Sequence, residues 1–449
     1  MVIIDGVEYS SYMEMCNAFH IDYQEFLNYK KQNAEISELE LLGHFIKPIE
    51  YRMINGTYRN KHYKMKREDF QMELRKLDKL GIETSLLGYG CMRFPTNAEG
   101  KIDEEKAEAL LDKAIAQGVN YIDTAYPYHN GESETFVGKV LKKYDRSSFY
   151  LATKLPVWFV KSIEDVDKYF NEQLEKLQTD YIDFYLLHAM NLGRWKEMLE
   201  LGVVERLEEL KAEGKIRYLG FSFHDSYEAF EEMLCARDWD FCQIQLNYMD
   251  VNEQAGMKGY KLTEERNVPL VIMEPVKGGM LANYGGDIAE KFHALDKDAS
   301  FASYALRWVG SLPNVKVVLS GMTTMEQVED NLKTFGNFKT MSEEELKVVD
   351  EVVEILNSRV QNGCTGCNYC MPCPAGVNIP RNFRTWNTYH MYQNYNVVKW
   401  GWEHDMPESE KAKNCIKCGK CEQACPQKLK IREDLAKVQE DLDKKEMVL

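Results

Sequence analysis

Between Ser85 and about Lys333 the chain alternates eight short apolar runs with eight amphipathic segments, and few folds accommodate that rhythm. The runs are SLLGY (85–89), NYID (120–123), FYLAT (149–153), YIDFYLLH (181–188), IRYLGFS (216–222), FCQIQL (241–246), LVIME (270–274) and VKVVLS (315–320). Two intervening segments, EEKAEALLDKAIAQG and VERLEELKAEG, close on Gly118 and Gly214, as helices commonly do. Runs that are apolar throughout, rather than at every second position, mark parallel strands covered on both faces. Eight βα units of this kind most simply close into a (β/α)8 TIM barrel of the α/β class, here expected over residues 67–361. A chain of 449 residues that is 44% hydrophobic leaves room for further domains on either side.

Barrel strands deliver catalytic side chains at their C-terminal ends. The run YIDFYLLH finishes on His188, and other runs finish on or just before Asp123, Lys154, Ser222, Gln245 and Glu274. Any one of these, taken alone, is equally well read as a strand end meeting solvent. Their coincidence on so many strands points to a common site.

The stretch NYIDTAYPYHNGESE, followed in order by ATKLP and YLLH, resembles the aldo/keto reductase family. The likeness runs from about Phe70 to Leu356 and includes GIETSLLGYGCMRFP and GKIRYLGFS. It implies a catalytic tetrad of Asp123, Tyr128, Lys154 and His188. Tyrosine is common here, with 26 in the chain, so Tyr128 earns its place only through the surrounding motif. The implied chemistry is carbonyl reduction. As hydride reaches the carbonyl carbon, the oxygen needs a proton, which Tyr128 would supply as general acid. An unperturbed phenol has a pKa near 10. A neighbouring Lys154 ammonium is expected to lower it, with Asp123 holding the lysine and His188 orienting the carbonyl.

The resemblance also places Ser222, Gln245 and Asn331 against nicotinamide and adenine, with departures from the family pattern nearby. Phe223 and His224 follow Ser222 where asparagine is usual. Met273 stands where a tyrosine commonly stacks on the nicotinamide. Gly321 and Gln327 replace the lysine and arginine that often grip a 2′-phosphate, so NADP(H) and NAD(H) both stay open. Lys277, Gly278 and Gly279 form a turn that could cradle another phosphate; a simple tight turn is an equal reading.

Eight of the twelve cysteines crowd into two runs, CTGCNYCMPCPAG and CIKCGKCEQACPQ. The second, with Cys415, Cys418, Cys421 and Cys425, has the bacterial ferredoxin spacing that ends on Cys-Pro. The first, with Cys364, Cys367, Cys370 and Cys373, is one residue shorter before its last cysteine and keeps the proline. Together they resemble a ferredoxin-type module, mainly helical and spanning 362–449, that holds two [4Fe-4S] clusters. The likeness implies crossed ligation, with Cys425 joining Cys364, Cys367 and Cys370, and Cys373 joining Cys415, Cys418 and Cys421. Zinc sites also use Cys-x-x-Cys pairs. Four cysteines per run, twice, each closing on proline, favour iron and sulfur.

Residues 1–66 are expected to form a small helical module that loosely resembles a helix-turn-helix. Its first 60 residues carry nine Asp and Glu against five Lys and Arg, the wrong balance for DNA, and the whole chain has a formal charge of -16. Neither an apolar run long enough to span a membrane nor a signal-peptide pattern is present, so a reducing cytoplasm is expected. The combined expectation is a cytoplasmic oxidoreductase that acts on a small-molecule carbonyl or alcohol. Its clusters would pass electrons, with a flavin (FMN) as a further candidate cofactor and a ferredoxin or flavodoxin as electron partner. The alternatives are a plain reductase with structural or regulatory clusters, and a redox-sensing protein whose barrel is a non-catalytic scaffold.

Overall fold

The computed structural model describes residues 71–445, together with the backbone of two antiparallel hairpins, Val2–Ile4 with Val7–Tyr9 and Tyr51–Ile54 with Thr57–Asn60. The chain divides into two compact units, Met1–Phe70 and Gln71–Leu449. The helices expected within residues 1–66 lie outside the described residues.

In the second unit, eight parallel strands close into a barrel: β1 (Leu87–Gly90), β2 (Tyr121–Asp123), β3 (Tyr150–Leu155), β4 (Ile182–Met190), β5 (Ile216–Phe223), β6 (Phe241–Gln245), β7 (Leu270–Met273) and β8 (Val315–Ser320). Each overlaps one of the eight apolar runs. Around them lie α1 (Glu104–Ala116), α2 (Ser133–Leu141), α3 (Ile163–Leu177), α4 (Leu192–Glu200), α5 (Val203–Ala212), α6 (Tyr227–Cys235), α7 (Gly256–Glu265), α8 (Gly286–Leu295), α9 (Phe301–Gly310) and α10 (Met325–Phe335). The helix starts follow capping chemistry. Asp103 accepts from the Lys106 amide before α1, and Ser162 with Asp165 forms a capping box on α3. Gly118 and Gly214, both at positive φ, turn the chain away after α1 and α5.

One cluster of buried residues defines the barrel interior, because it contains strand residues and no helix residue: Tyr121, Ala152, Phe184, Leu186, Phe241, Val271, Val317 and Leu319. Leu77 joins it from a hairpin, Leu74–Leu77 with Ile82–Ser85, that precedes β1. This hairpin was not expected from the sequence. Side chains alternate along a strand, so stepping by two from these core residues toward the C-terminal ends reaches Asp123, Lys154, His188, Gln243, Gln245, Met273 and Gly321. The interior is filled to the point of excluding a methyl group. A Cβ on Gly220 would stand 2.6 Å from the Phe241 carbonyl oxygen, and one on Gly88 would stand 2.5 Å from Val317.

Beyond the barrel, α11 (Glu343–Ser358) packs against α8 and α9 in a shared apolar cluster that also takes in Tyr392. Then come α12 (Ile379–Tyr392) and α13 (Ile431–Lys444), which meet through Phe383, Trp386, Tyr389, Leu435 and Val438. The Trp386 indole N–H donates to Asp441 at 2.8 Å, and Asn362 bonds Asp434 at 2.7 Å.

Placing an alanine at Gly220 inserts a methyl against backbone that cannot retreat, and overpacking of this kind costs about 1–3 kcal/mol. Urea unfolding of Gly220→Ala is expected to show that loss, whereas Gly401→Ala, whose Cβ meets nothing within 4 Å, is expected to stay within about 0.5 kcal/mol of the parent.

Candidate active site

Lys154 is buried at the end of β3, and its ammonium donates to Asp123 Oδ1 at 2.7 Å, to the Thr124 carbonyl at 2.7 Å and to Tyr128 Oη at 3.3 Å. The His188 ring stands edge-on to that of Tyr128, with centroids 6.1 Å apart. The four residues expected from the sequence are therefore together at the C-terminal mouth of the barrel. Tyr128 is presented by a short turn, Tyr128–Gly131, in which His129 (φ 50°), Asn130 (φ 55°) and Gly131 (φ 91°) are all left-handed. Two consecutive non-glycine residues in this region cost free energy that the surroundings must offset, and such strain concentrates at functional sites. The Phe94 amide contributes by donating to His129 Nε2 at 3.2 Å.

The electrostatics differ from expectation at one point. Burial raises the pKa of Tyr128 above its ordinary value, and the Lys154 ammonium opposes that rise without reversing it. For Lys154, burial disfavours the charge, but Asp123 and Tyr128 outweigh it and the pKa lies above the usual value. His188 is held well below the ordinary imidazole range, by burial first and then by the charges of Lys154, His224 and Arg194. A neutral imidazole therefore faces the site at neutral pH, and its Nδ1 has no hydrogen-bond partner among the described residues.

Beneath the tetrad lies a buried polar layer that the sequence reading did not identify. Glu134, with no exposed surface, accepts from Thr153 and from Gln173, both at 2.6 Å. Gln173 also donates to the Lys154 carbonyl at 3.0 Å and accepts from the Tyr185 hydroxyl at 2.6 Å. This layer fixes the backbone from which Lys154 extends. Gln243 was also missed; it is buried on the inward face of β6, and its Oε1 has no partner among the described residues.

The residues expected around a nicotinamide cofactor are placed unevenly. Ser222 accepts the Ala189 amide at 2.7 Å, and its own hydrogen has no acceptor among the described residues. Gln245 bonds Asp250 at 2.9 Å, and Met273 Sδ accepts from Gln243 at 3.4 Å. The His224 amide bonds the Met190 carbonyl at 2.9 Å. Lys277 does not reach into open space; its ammonium sits on Asp250 at 2.6 Å, while a Cβ on Gly278 or Gly279 would meet nothing within 4 Å. Gly321 lies under the Arg93 side chain, whose Cγ would stand 2.8 Å from a Cβ there. Gln327 is used by the fold, since its side chain accepts the Thr323 amide at 2.7 Å and the Thr324 amide at 3.4 Å, the latter closing the capping box of α10. Asn331 bonds Ser320 at 2.6 Å. A buried, unpartnered amide oxygen on Gln243, a Ser222 hydrogen without an acceptor among the described residues and an open glycine turn are compatible with a nicotinamide dinucleotide at the mouth.

The eight clustered cysteines form no disulfide and border two hollows. One is lined by Cys373, Cys415, Cys418 and Cys421, the other by Cys364, Cys367 and Cys425, and Cys370 borders both. Two hollows with this all-thiol donor set fit [4Fe-4S] clusters.

The family model described as Aldo/keto reductase family matches residues 86–354, and a 4Fe-4S dicluster domain model matches residues 363–429. The chain is 28% identical over 308 residues to the uncharacterized oxidoreductase YqkF of Bacillus subtilis, covering 62% of this chain and 95% of that protein. It is 27% identical over 307 residues to L-galactose dehydrogenase of Arabidopsis thaliana, covering 63% and 95%. Among solved structures, the holo form of aldo-keto reductase AKR11C1 from Bacillus halodurans is similar with a TM-score of 0.52 and 27% identity, over 63% of this chain and 96% of that one.

Replacing Gln173 with leucine removes a donor from the buried Glu134 carboxylate and leaves it under-satisfied. Such orphaning costs about 1–3 kcal/mol, more for a charged group. Chemical denaturation of Gln173→Leu should register that loss.

Proposed function

The chain belongs to the aldo/keto reductase family and carries a 4Fe-4S domain after its barrel, and from that premise we propose that the barrel interconverts a carbonyl and an alcohol with Tyr128 as general acid and base. The observation that supports this most directly is the Lys154 ammonium shared between Asp123 and Tyr128 in a buried site open at the strand ends. In the reducing direction the substrate oxygen lies between Tyr128 Oη and the His188 ring. The Tyr128 proton passes to that oxygen as negative charge develops on it. Lys154 stabilises the phenolate left behind, and Asp123 keeps the lysine charged and aimed. His188, being neutral, orients the carbonyl with a hydrogen bond and brings no competing acid. Ser222 and Gln243 are the residues that would hold the nicotinamide edge, since the Gln245 amide is taken up by Asp250 and Gln254.

When bound, a nicotinamide supplies two electrons together as one hydride and each cluster a single electron; a flavin is the group that interconverts the two. Cys364, Cys367, Cys370 and Cys425 would hold one cluster, and Cys373, Cys415, Cys418 and Cys421 the other. Ile379, at the start of α12, borders both hollows, and Tyr392, at its end, stacks on Tyr284 of the barrel unit with centroids 6.4 Å apart. The ends of that helix are about 20 Å apart at 1.5 Å per residue. This placement favours exchange of electrons between the clusters and an external carrier, a ferredoxin or flavodoxin. A second reading, in which the clusters are structural, draws on the packing of Cys364, Cys370, Cys373, Cys415 and Cys421 against the apolar core of their module.

Tyr128→Phe is expected to lower kcat by about 10²–10⁴-fold, the usual worth of a positioned general acid, without loss of fold. The pH profile carries a sign. Reduction needs the phenol protonated, and burial raises its pKa, so activity should persist up to the ordinary phenol value of about 10 and fall as pH rises through the raised one. No acid-side loss is expected near the ordinary imidazole value of about 6.5, because His188 is already neutral there. Anaerobic reconstitution followed by absorbance decides the flavin: NAD(P)H bleaching in step with a ketone, with no flavin band, removes it. Cys418→Ala separates the cluster readings. Folded protein that has lost carrier-linked turnover supports electron transfer, and insoluble protein whose remaining soluble fraction is fully active supports a structural role.

A further inference from the structure

Three rings and a guanidinium follow one another at the barrel mouth. Tyr128 meets His188, the His188 ring lies 5.1 Å from the Trp158 indole, and the Arg194 guanidinium carbon lies 5.5 Å from that same indole. Trp158 comes from the short turn Val157–Phe159 after β3, and Arg194 from the first turn of α4 after β4. Arg194 also donates to the carbonyl of Ala189, a left-handed residue (φ 51°) whose amide is held by Ser222. That contact occupies one of the five donors of the guanidinium.

The charge on Arg194 is what sets it apart. Arg75, Arg146, Arg206, Arg237, Arg307, Arg359 and Arg381 are also half-buried, and each has a carboxylate partner. Among the described residues, Arg194 is the half-buried arginine with none. The acidic residue on the facing loop, Asp225, is turned instead to the amides of Leu192 at 2.9 Å and Ser226 at 2.8 Å. Partial burial of an unpaired cation is unfavourable unless an anion arrives, and a guanidinium fork matches a carboxylate or phosphate in geometry. The indole below it fixes the plane of the fork through a cation–π contact and forms an apolar floor between it and His188.

We propose that Arg194 is the binding site for an anionic group of the substrate, so that the barrel acts on carbonyl compounds, or the matching alcohols, that carry a carboxylate or phosphate a few bonds from the reacting carbon. This rests on the reading of the tetrad as a carbonyl/alcohol site and adds the substrate class to it. The carbonyl oxygen sits on Tyr128 and His188, the intervening carbons lie over Trp158, and the anion closes the Arg194 fork.

The test compares, on the full chain, a series of oxo acids in which several carbons separate the carbonyl from the carboxylate with their methyl esters, and a keto-phosphate with its dephosphorylated ketone. KM is expected to be at least tenfold lower for the anionic member of a pair, and the pair that discriminates most identifies carboxylate or phosphate. In Arg194→Gln the ratio of kcat/KM between anion and neutral partner should collapse by tenfold or more. Arg194→Lys, which keeps a donor for the Ala189 carbonyl, should recover part of it. Tryptophan fluorescence titration with the same pairs reads binding independently of turnover and decides the matter even where a variant folds poorly. Equal affinity for acid and ester in the parent protein, or equal weakening of both by Arg194→Gln, overturns the proposal and leaves the tetrad reading standing. Selective anion binding with no turnover of any carbonyl leaves Arg194 assigned and overturns the tetrad reading instead.

Discussion

Side chains alternate between the two faces of a strand, and eight parallel strands closed into a ring leave one of those faces nowhere to go but inward. That constraint organises the whole of residues 71–335. The lower inward positions are filled by Tyr121, Phe184, Phe241, Val271 and Val317 until no methyl can be added, so the upper ones, two residues further along, are carried to a shared opening. Asp123, Lys154 and His188 meet because they are next in parity on adjacent strands. Their convergence needs no long-range pairing beyond the barrel itself.

What the barrel costs is desolvation. A lysine with no exposed surface is tolerated because its ammonium is matched by Asp123 and by a backbone carbonyl, and the amide and carboxyl layer of Gln173 and Glu134 holds the strand beneath it. The same enclosure governs Tyr128. Proximity of a cation pulls its pKa down and exclusion of water pushes it up, and in this site exclusion prevails. The phenol is therefore held protonated at rest, rather than half ionised.

Much of this was legible in the sequence, and the failures have physical reasons. The strands could be read because double burial makes them apolar throughout, and the tetrad because its motif ties Tyr128 to a strand end. Gln243 was invisible inside a run read as apolar, and it emerges only when parity is laid down from Phe241. Glu134, Gln173, Trp158 and Arg194 act through partners on other elements, which periodicity along one element does not reveal. Gln327 was weighed against a phosphate, although Thr324 three residues before it already spells a helix cap. The pKa of Tyr128 was misjudged in direction because charge spacing can be seen in a sequence and enclosure cannot.

The two hollows among the cysteines are interlocked along the chain. Cys373 belongs with residues that come more than forty positions later, Cys425 belongs with residues more than fifty positions earlier, and Cys370 walls both spaces. Neither receptacle exists until the whole stretch from Cys364 to Cys425 has closed on itself. The loop-closure entropy of that stretch is therefore met once for both hollows, not separately for each.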